Sequence, residues 1–366
     1  MINNNKSAEN IRHIDVTQSI VYDSSVSGWS YSHHASLAYF KNKYYAMWSN
    51  GKVNEDDIGQ RVLMSTSEDC VSWSAPENLF PSVAGNGVLT SAGWYVRDDG
   101  ILNAYAGLYY YPEAVRPKGD NSHIGTTLLC KTSNDGIHWS EPTDLHLPII
   151  PNQGPHKLQS GRLIIDGNVT FPWTDDPKGT EGWRISGIPP CPVAGLQDDS
   201  EGFHILAQMR GDSEHVCEGS HLQTGDGHIH MLLRNATPHP VKEKYLCLTE
   251  SYDNGETYTA PKIIPFTDNG SKFYCMHLSN GKFAVISNPE QSGCRCPLSV
   301  LVSDDAENFD TRYDIATEVL PRKFDGMYKG GVYGYPHAVE VDGMLHVICS
   351  VNKEDIRVFT FRSDIL

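Results

Sequence analysis

One pattern recurs four times along the chain and constrains its fold more than any other feature: STSEDCVSWSAP from Ser65, KTSNDGIHWSEP from Lys131, TESYDNGETYTAP from Thr249 and LVSDDAENFDT from Leu301. In each segment an Asp stands two residues after a Ser, turn-forming residues follow, and an aromatic comes next. Such a Ser and Asp can bond the amides of a tight hairpin turn while the aromatic tucks beneath it, so the pattern reads as a structural fastener. The Ser falls at positions 67, 133, 251 and 303, at intervals of 66, 118 and 52 residues. The long interval is about twice the others, which implies a middle unit that has lost its fastener. Repetition at this period, with several strands per unit, predicts the blades of a β-propeller.

Between these segments, LQSGRLIIDGN, LQTGDGHIHMLLRN, LSNGKFAVISNP and VEVDGMLHVICSV read as strand, Gly turn, strand, the inner hairpins of successive blades. Counting units predicts an all-β fold of six four-stranded blades, or seven if the N-terminal region holds another. The early strand HIDVTQSIVYD is expected to close the ring against the last blade. With 32 Gly and 21 Pro and no long capped amphipathic helix, the composition agrees. No linker divides residues 1–366, which are read as a single domain.

The four segments resemble the Asp boxes of sialidase-like propellers. That resemblance implies a site at the axial mouth with three arginines for a substrate carboxylate, a Tyr/Glu nucleophile pair and an acidic Asp. Glu218 and Arg234 resemble the central Glu and second arginine, and Arg295 stands where a third could be. The N-terminal region departs from the pattern, because it offers only Arg12 for the first arginine. The run YSHHASLAYFKNKYYAMWSNGKVNEDDIGQRV, with GPHKLQSGR and PWTDDP further on, is similar to a narrower propeller group, the α-L-rhamnosidases acting on rhamnosyl-glucuronate and the ulvan lyases. In that group histidines are implied to carry the chemistry.

Imidazole titrates near neutrality and can act as a general base on water or on the C5 proton of a uronate. The latter step requires the carboxylate to be neutralised, a role open to Arg234 or Arg295. His33 and His34 are adjacent on a predicted strand, so at most one is expected to face a site. His34 shares its parity with small residues and is expected to matter more; packing in the blade is the alternative for either. His156 and His123 are further candidates, each open to a plain loop or strand role. Trp173 and Trp183 could form a sugar-stacking shelf or pack in the core, and Tyr335 is a candidate for substrate binding near the axis.

Four functional readings follow from these residues. The favoured one is a histidine-dependent exo-glycosidase acting on a uronate-containing oligosaccharide. A lyase cleaving the same substrates by β-elimination, an exo-sialidase and a non-catalytic glycan-binding propeller are the alternatives. The formal net charge of −16 argues against nucleic acid or an anionic membrane as partner and makes an acidic oligosaccharide depend on local arginines. The start MINNNKSAENIRHIDVTQ lacks the layout of a signal peptide and no run approaches a membrane span, so a cytoplasmic location is expected. The nine cysteines, odd in number and irregularly spaced, fit reduced core thiols.

No cofactor is expected for catalysis. A structural zinc is a candidate, held by His277, Cys294, Cys296 and His337, since two thiolates and two imidazoles make a closed tetrahedral set. The ulvan-lyase resemblance implies a similar inter-blade zinc; the alternative is a pair of core thiols near two unrelated histidines. The run HVCEGSHLQTGDGHIH is read without metal, its His228 and His230 being taken to alternate along a strand.

Overall fold

The computed structural model describes residues 1–114, 123–188, 207–208, 215–235 and 244–366, and within these the chain forms six sheets. Blade 1 comprises Tyr31–Phe40, Lys43–Gly51, Arg61–Ser67 and Glu77–Phe80, and blade 2 Gly87–Val96, Leu102–Tyr110, Ile124–Ser133 and Thr143–Asp144. Blade 3 comprises His156–Lys157, Leu163–Ile164, Thr170–Thr174 and Arg184–Gly187. Blade 4 adds the short Ala207–Gln208 to His215–Gln223, Ile229–Asn235, Tyr245–Ser251 and Lys262–Thr267. Blade 5 comprises Tyr274–His277, Phe283–Ser287, Leu298–Ser303 and Thr311–Ala316, with Ile11–Arg12 parallel along its outer edge. Blade 6 comprises Tyr333–Val341, Met344–Val351 and Asp355–Arg362, and its fourth strand is Thr17–Tyr22 from the other end of the chain. The ring therefore closes where the early strand was expected to close it. Among the described residues the only helix is Ser24–Ser27, and no helix is long and apolar enough to cross a membrane.

The core is divided into interblade wedges, because each sheet buries both faces against its neighbours. Tyr45, Met47 and Val62 of blade 1 meet Leu89, Trp94 and Ala104 of blade 2. Tyr105 and Leu128 meet Leu163 and Ile165 of blade 3, and Ile164 and Phe171 meet Met231 and Leu233 of blade 4. Leu222 and Leu248 meet Val285 and Leu301, and Ile286 and Val300 meet Val347 and Phe359. The last wedge joins Ile348 and Val358 of blade 6 to Leu37 and Trp48 of blade 1, with Val21 and Tyr22 of the closing strand inside it. Eight cysteines are described; all are free, and seven are buried.

The four Ser-x-Asp segments occupy the same turn, between the third and fourth strands of blades 1, 2, 4 and 5. Each Ser hydroxyl bonds its Asp, at 2.9, 3.1, 2.9 and 2.8 Å, and each Asp accepts backbone N–H groups further along the turn. The turn needs a left-handed residue, which is Gly136 in blade 2, where a Cβ would fall 2.0 Å from the Tyr45 hydroxyl. The middle unit has not lost its fastener. In blade 3, Thr174 replaces the Ser, its hydroxyl accepting the N–H of Asp176, and Asp176 accepts the N–H groups of Lys178, Thr180 and Glu181. A longer loop and the Ser-to-Thr exchange hide this unit from a pattern search.

Candidate functional site

The inner strands of four blades are interrupted by β-bulges, between His33 and Ser36, Ser91 and Trp94, Cys217 and Gly219, and Gly334 and His337. A bulge breaks the alternation of side chains and re-aims one of them. His34 and Tyr335 sit in the left-handed region, with φ of 53° and 57°, a conformation that costs a non-glycine residue about 1 kcal/mol or more. In blade 2 the bulge carries Gly93, whose added Cβ would lie 2.4 Å from the amide nitrogen of Gly154 in the neighbouring blade. These distortions open a cavity of about 360 Å³ at one mouth of the axis.

Glu218, Arg234 and Tyr335 meet in this cavity. Tyr335 Oη donates to Glu218 Oε1, and Arg234 Nη1 donates both to Glu218 Oε2 at 2.6 Å and to Tyr335 Oη at 3.0 Å. Burial opposes ionisation of Glu218. The Arg234 guanidinium, the Tyr335 hydrogen bond and the Lys272 charge outweigh it and hold the carboxyl below its ordinary value. Burial and the Glu218 charge together raise Tyr335 well above the usual phenol range, so the phenol keeps its proton. The Arg295 guanidinium lies 5.5 Å from the Tyr335 ring centroid, and its Nη1 is buried without a hydrogen-bond partner among the described residues. A buried donor left without a partner is costly.

Both opening histidines lie against Tyr335, with ring centroids 4.1 Å away for His33 and 5.2 Å for His34. The expected alternation fails because the bulge falls at this pair. Their roles still differ. His34 lines the cavity and shares a hydrogen bond with the Ser49 hydroxyl at 3.3 Å; burial lowers it to about 3, with help from Lys272 and Lys353. His33 is fully buried behind Tyr335, shares a 2.6 Å hydrogen bond with Ser350 Oγ and points Nε2 toward Glu55 at 4.0 Å. His123 stacks on Tyr109 at 3.9 Å on the cavity wall.

Other expected residues lie elsewhere. His156 sits further down the axis, against His221 and Tyr274, where burial lowers it to about 4; His221 bonds Asp166 at 2.7 Å. Trp173 does not line the cavity: it is buried in blade 3, bonds Ser186 Oγ and is covered by the guanidinium of Arg162 at 3.7 Å. Trp183 packs beside the wedge between blades 2 and 3. Arg12 lies in the outer edge strand of blade 5. The four residues suggested for zinc are not drawn together. Cys296 Sγ donates to the carbonyl of Thr317, His337 Nδ1 accepts the N–H of Leu37 and its ring packs on Tyr274, while His277 packs on Phe283. The clusters with ligand spacing among the described residues are His33/His34/Glu55 and His228/His230/Glu250. The donor set proposed for the inter-blade zinc does not fit an ion.

Several residues of the cavity carried no recognised signal. Glu55 and Asp56, in the loop after the second strand of blade 1, line it, and Lys353 after the second strand of blade 6 bonds Glu55 at 2.5 Å. Lys272 lies beneath, 5.3 Å from the Tyr335 ring centroid, and donates to the carbonyl of Asn152. Glu55, Asp56 and Lys353 share one address, the loop that leaves the second strand of a blade, which in blade 5 holds Arg295, whereas Lys272 lies between Lys262–Thr267 and Tyr274–His277. The run NEDD at 54–57 was the available clue.

Residues 45–347 match the family of BNR repeat-like domains. No curated protein matches the chain in sequence. In structure it is similar to a Dyadobacter fermentans protein of unknown function (TM-score 0.64, 15% identity, covering 95% of this chain and 99% of that one). It is also similar to a sialidase (TM-score 0.66, 18% identity, 97% of this chain), of whose length it spans 34%. A third similar structure is the intramolecular trans-sialidase from Ruminococcus gnavus in complex with oseltamivir carboxylate (TM-score 0.64, 11% identity, 94% and 97% covered). These likenesses establish a sialidase-like propeller. Since the sequence match runs from the first blade to the last, the chain belongs to the BNR repeat-like domain family.

Proposed function

We propose that the chain is a glycoside hydrolase that removes a carboxylate-bearing sugar, with Tyr335 as nucleophile and Glu218 as its base. The observation that carries this reading is the Tyr335–Glu218 hydrogen bond with Arg234 bonded to both partners. A neutral phenol is a weak nucleophile and needs a base in contact. Glu218, held as the carboxylate, takes the phenolic proton while Tyr335 Oη bonds the anomeric carbon and the glycosidic C–O bond breaks. Asp56, a cavity carboxyl on blade 1, is assigned to protonate the leaving oxygen. Asp56, left as a carboxylate, then takes a proton from the water that cleaves the glycosyl–tyrosine bond, while Glu218 returns its proton to the departing phenol, so the configuration is retained. Arg234, Arg295 and Lys353 supply positive charge for the substrate carboxylate in an otherwise acidic molecule.

A histidine-led hydrolysis fits less well, because His34 at about 3 is a weak base at neutral pH. β-Elimination at a uronate is the second reading, favoured by the contact of His34 with Tyr335 in the same arginine-bearing cavity. The test is a panel of fluorogenic glycosides of sialic, glucuronic and galacturonic acids, followed by rhamnosyl-glucuronate oligosaccharides, with products followed by NMR. Release of a retained free acid sugar, abolished by Tyr335→Phe, supports the proposal. An unsaturated uronate product would transfer it to the lyase reading, and ligand-induced stabilisation without turnover would make the chain a binding protein.

A further inference from the structure

A second cluster lies on the opposite face of the propeller, beside the Ser-x-Asp turn of blade 4. His228 immediately precedes the strand Ile229–Asn235 and His230 lies in it, two residues on, and their rings share a face with centroids 4.0 Å apart. His230 pairs directly across the ladder with Glu250, the residue before Ser251. Taking the two histidines as alternating was an error of parity. His228 is fixed by the turn before it, where its N–H donates to Asp226 and its carbonyl accepts from Thr224. The ring of Tyr252 covers it in a parallel stack at 4.2 Å.

The polar atoms in this cluster are arranged around a gap. His228 Nε2 and His230 Nδ1 are both buried and neither has a hydrogen-bond partner among the described residues, while they stand 3.6 and 3.7 Å from Glu250 Oε1. Those distances are too long for hydrogen bonds, and charge-assisted N–H···O contacts would close to about 2.7–2.9 Å. The other carboxylate oxygen is already held by Lys262 Nζ at 2.7 Å, which orients the group with Oε1 toward the two imidazoles. Two imidazole nitrogens and a carboxylate oxygen at bond lengths of about 2.0–2.2 Å around a tetrahedral ion stand roughly 3.3–3.5 Å apart. The observed separations need only a few tenths of an ångström of closure.

We infer that His228, His230 and Glu250 form a binding site for a divalent transition ion, zinc above all, with water as the fourth ligand. Two imidazoles and one carboxylate suit zinc better than calcium or magnesium, which require more oxygen donors. The ion would satisfy both orphaned nitrogens and cross-link the second and third strands of blade 4, far from the sugar cavity.

The test uses the full chain, freed of metal with a chelator and then dialysed into chelator-free buffer. Zinc chloride titrated calorimetrically should bind at one equivalent with micromolar or tighter affinity, and cobalt(II) should give the intense visible bands of a tetrahedral site. His230→Ala, Glu250→Gln and His228→Ala should each weaken zinc binding at least 100-fold and abolish the cobalt bands. His138→Ala, at an exposed histidine in another turn, should leave both unchanged. If His230→Ala fails to fold, the partly exposed His228 supplies the decisive variant. Absence of zinc binding below 100 μM, or unaltered binding in the His228 and Glu250 variants, would overturn the assignment.

Discussion

Tyr335 of blade 6 and Glu218 of blade 4 are joined by a hydrogen bond across the axis, although 117 residues separate them in sequence. The bond depends on two bulges, one in each inner strand, and on Arg234 holding both partners. In the proposed hydrolysis, a phenol kept neutral beside a carboxylate kept ionised would separate nucleophile from base.

Removing either member should therefore act on turnover. Tyr335→Phe keeps the ring that packs on His33 and loses only the hydroxyl, and Glu218→Gln keeps the shape but not the base. Each is expected to lower kcat by about 10²–10⁴-fold on an accepted substrate. Arg234→Lys should also raise KM, because one guanidinium nitrogen serves two partners and a lysine cannot reproduce its geometry. A Tyr335→Phe enzyme with undiminished kcat would remove the nucleophile assignment.

The two opening histidines should separate by stability. His33 fills a fully buried site and bonds Ser350, so His33→Ala leaves a hole and removes one of the two hydrogen bonds of the Ser350 hydroxyl, which also donates to the Gly334 carbonyl, with an expected loss of about 2–4 kcal/mol in urea unfolding. His34→Ala faces the cavity and should lower activity while shifting the unfolding midpoint little. A His33→Ala protein as stable as the parent would contradict this division.

Lys272 sets an expected basic limb. Burial lowers it to about 8, against the opposing charges of Glu218 and Asp166. As pH rises through that value, the cation beneath Tyr335 is lost and activity should fall. Its effect on stability has the opposite sign. Between about 8 and the unfolded value of 10.5 the unfolded chain binds the extra proton, so this group makes the fold more stable as pH rises. Loss of the Lys272 proton therefore does not itself destabilise the fold across the limb. Lys272→Arg should move the limb in the pH profile of kcat/KM upward, and an unmoved limb would exclude Lys272 as its source.

The fasteners were legible because they are local: a Ser, an Asp and three amides lie within one turn, so their spacing survives in the sequence. The variant in blade 3 escaped because Thr174 and the longer loop to Trp183 alter that spacing without altering its hydrogen-bonding logic. Glu218, Arg234 and Arg295 stood out through their resemblance to a known pattern, and the structure places all three on one cavity. The partner roles of Glu55, Asp56 and Lys353 did not, since only ring closure brings blades 1 and 6 side by side. Of His33 and His34 only the latter lines the cavity, as expected, but a bulge with a left-handed residue rather than plain alternation sets this. The suggested zinc set relied on sequence proximity of Cys294 and Cys296, but the thiol of Cys296 is directed to Thr317.

Asp268 offers a test of buried charge. Burial raises it to about 6; Oδ2 accepts the N–H groups of Gly270 and Ser271, and Oδ1 is buried without a hydrogen-bond partner among the described residues. A carboxyl raised above its unfolded value of 3.8 loses stabilising effect as pH rises from about 4 through 6. At pH 7.5 the ionised group is a cost, so Asp268→Asn should stabilise the protein by about 1–2 kcal/mol, with the difference vanishing near pH 4. A destabilised variant at pH 7.5 would mean that an interaction of the charged form dominates.

The closing strand offers the severest test of the fold. Thr17–Tyr22 supplies the outer ladder of blade 6, and Ile11–Arg12 lies along blade 5, so the N-terminal segment spans two blades. It also places Ile2, Ile14, Val21 and Tyr22 into three different interblade wedges. Burying four such side chains contributes about 6–12 kcal/mol, comparable with the whole net stability of an ordinary domain. Deleting residues 1–22 would also expose the edge of Asp355–Arg362, an apolar strand able to pair with another chain. The shortened protein is expected to aggregate or to lose its cooperative urea transition. Val21→Ala, which keeps the ladder and removes only part of one wedge, should lower stability by about 1–3 kcal/mol without aggregation. A truncated chain that unfolds cooperatively at the parent's urea midpoint would show that the ring holds without its closing strand.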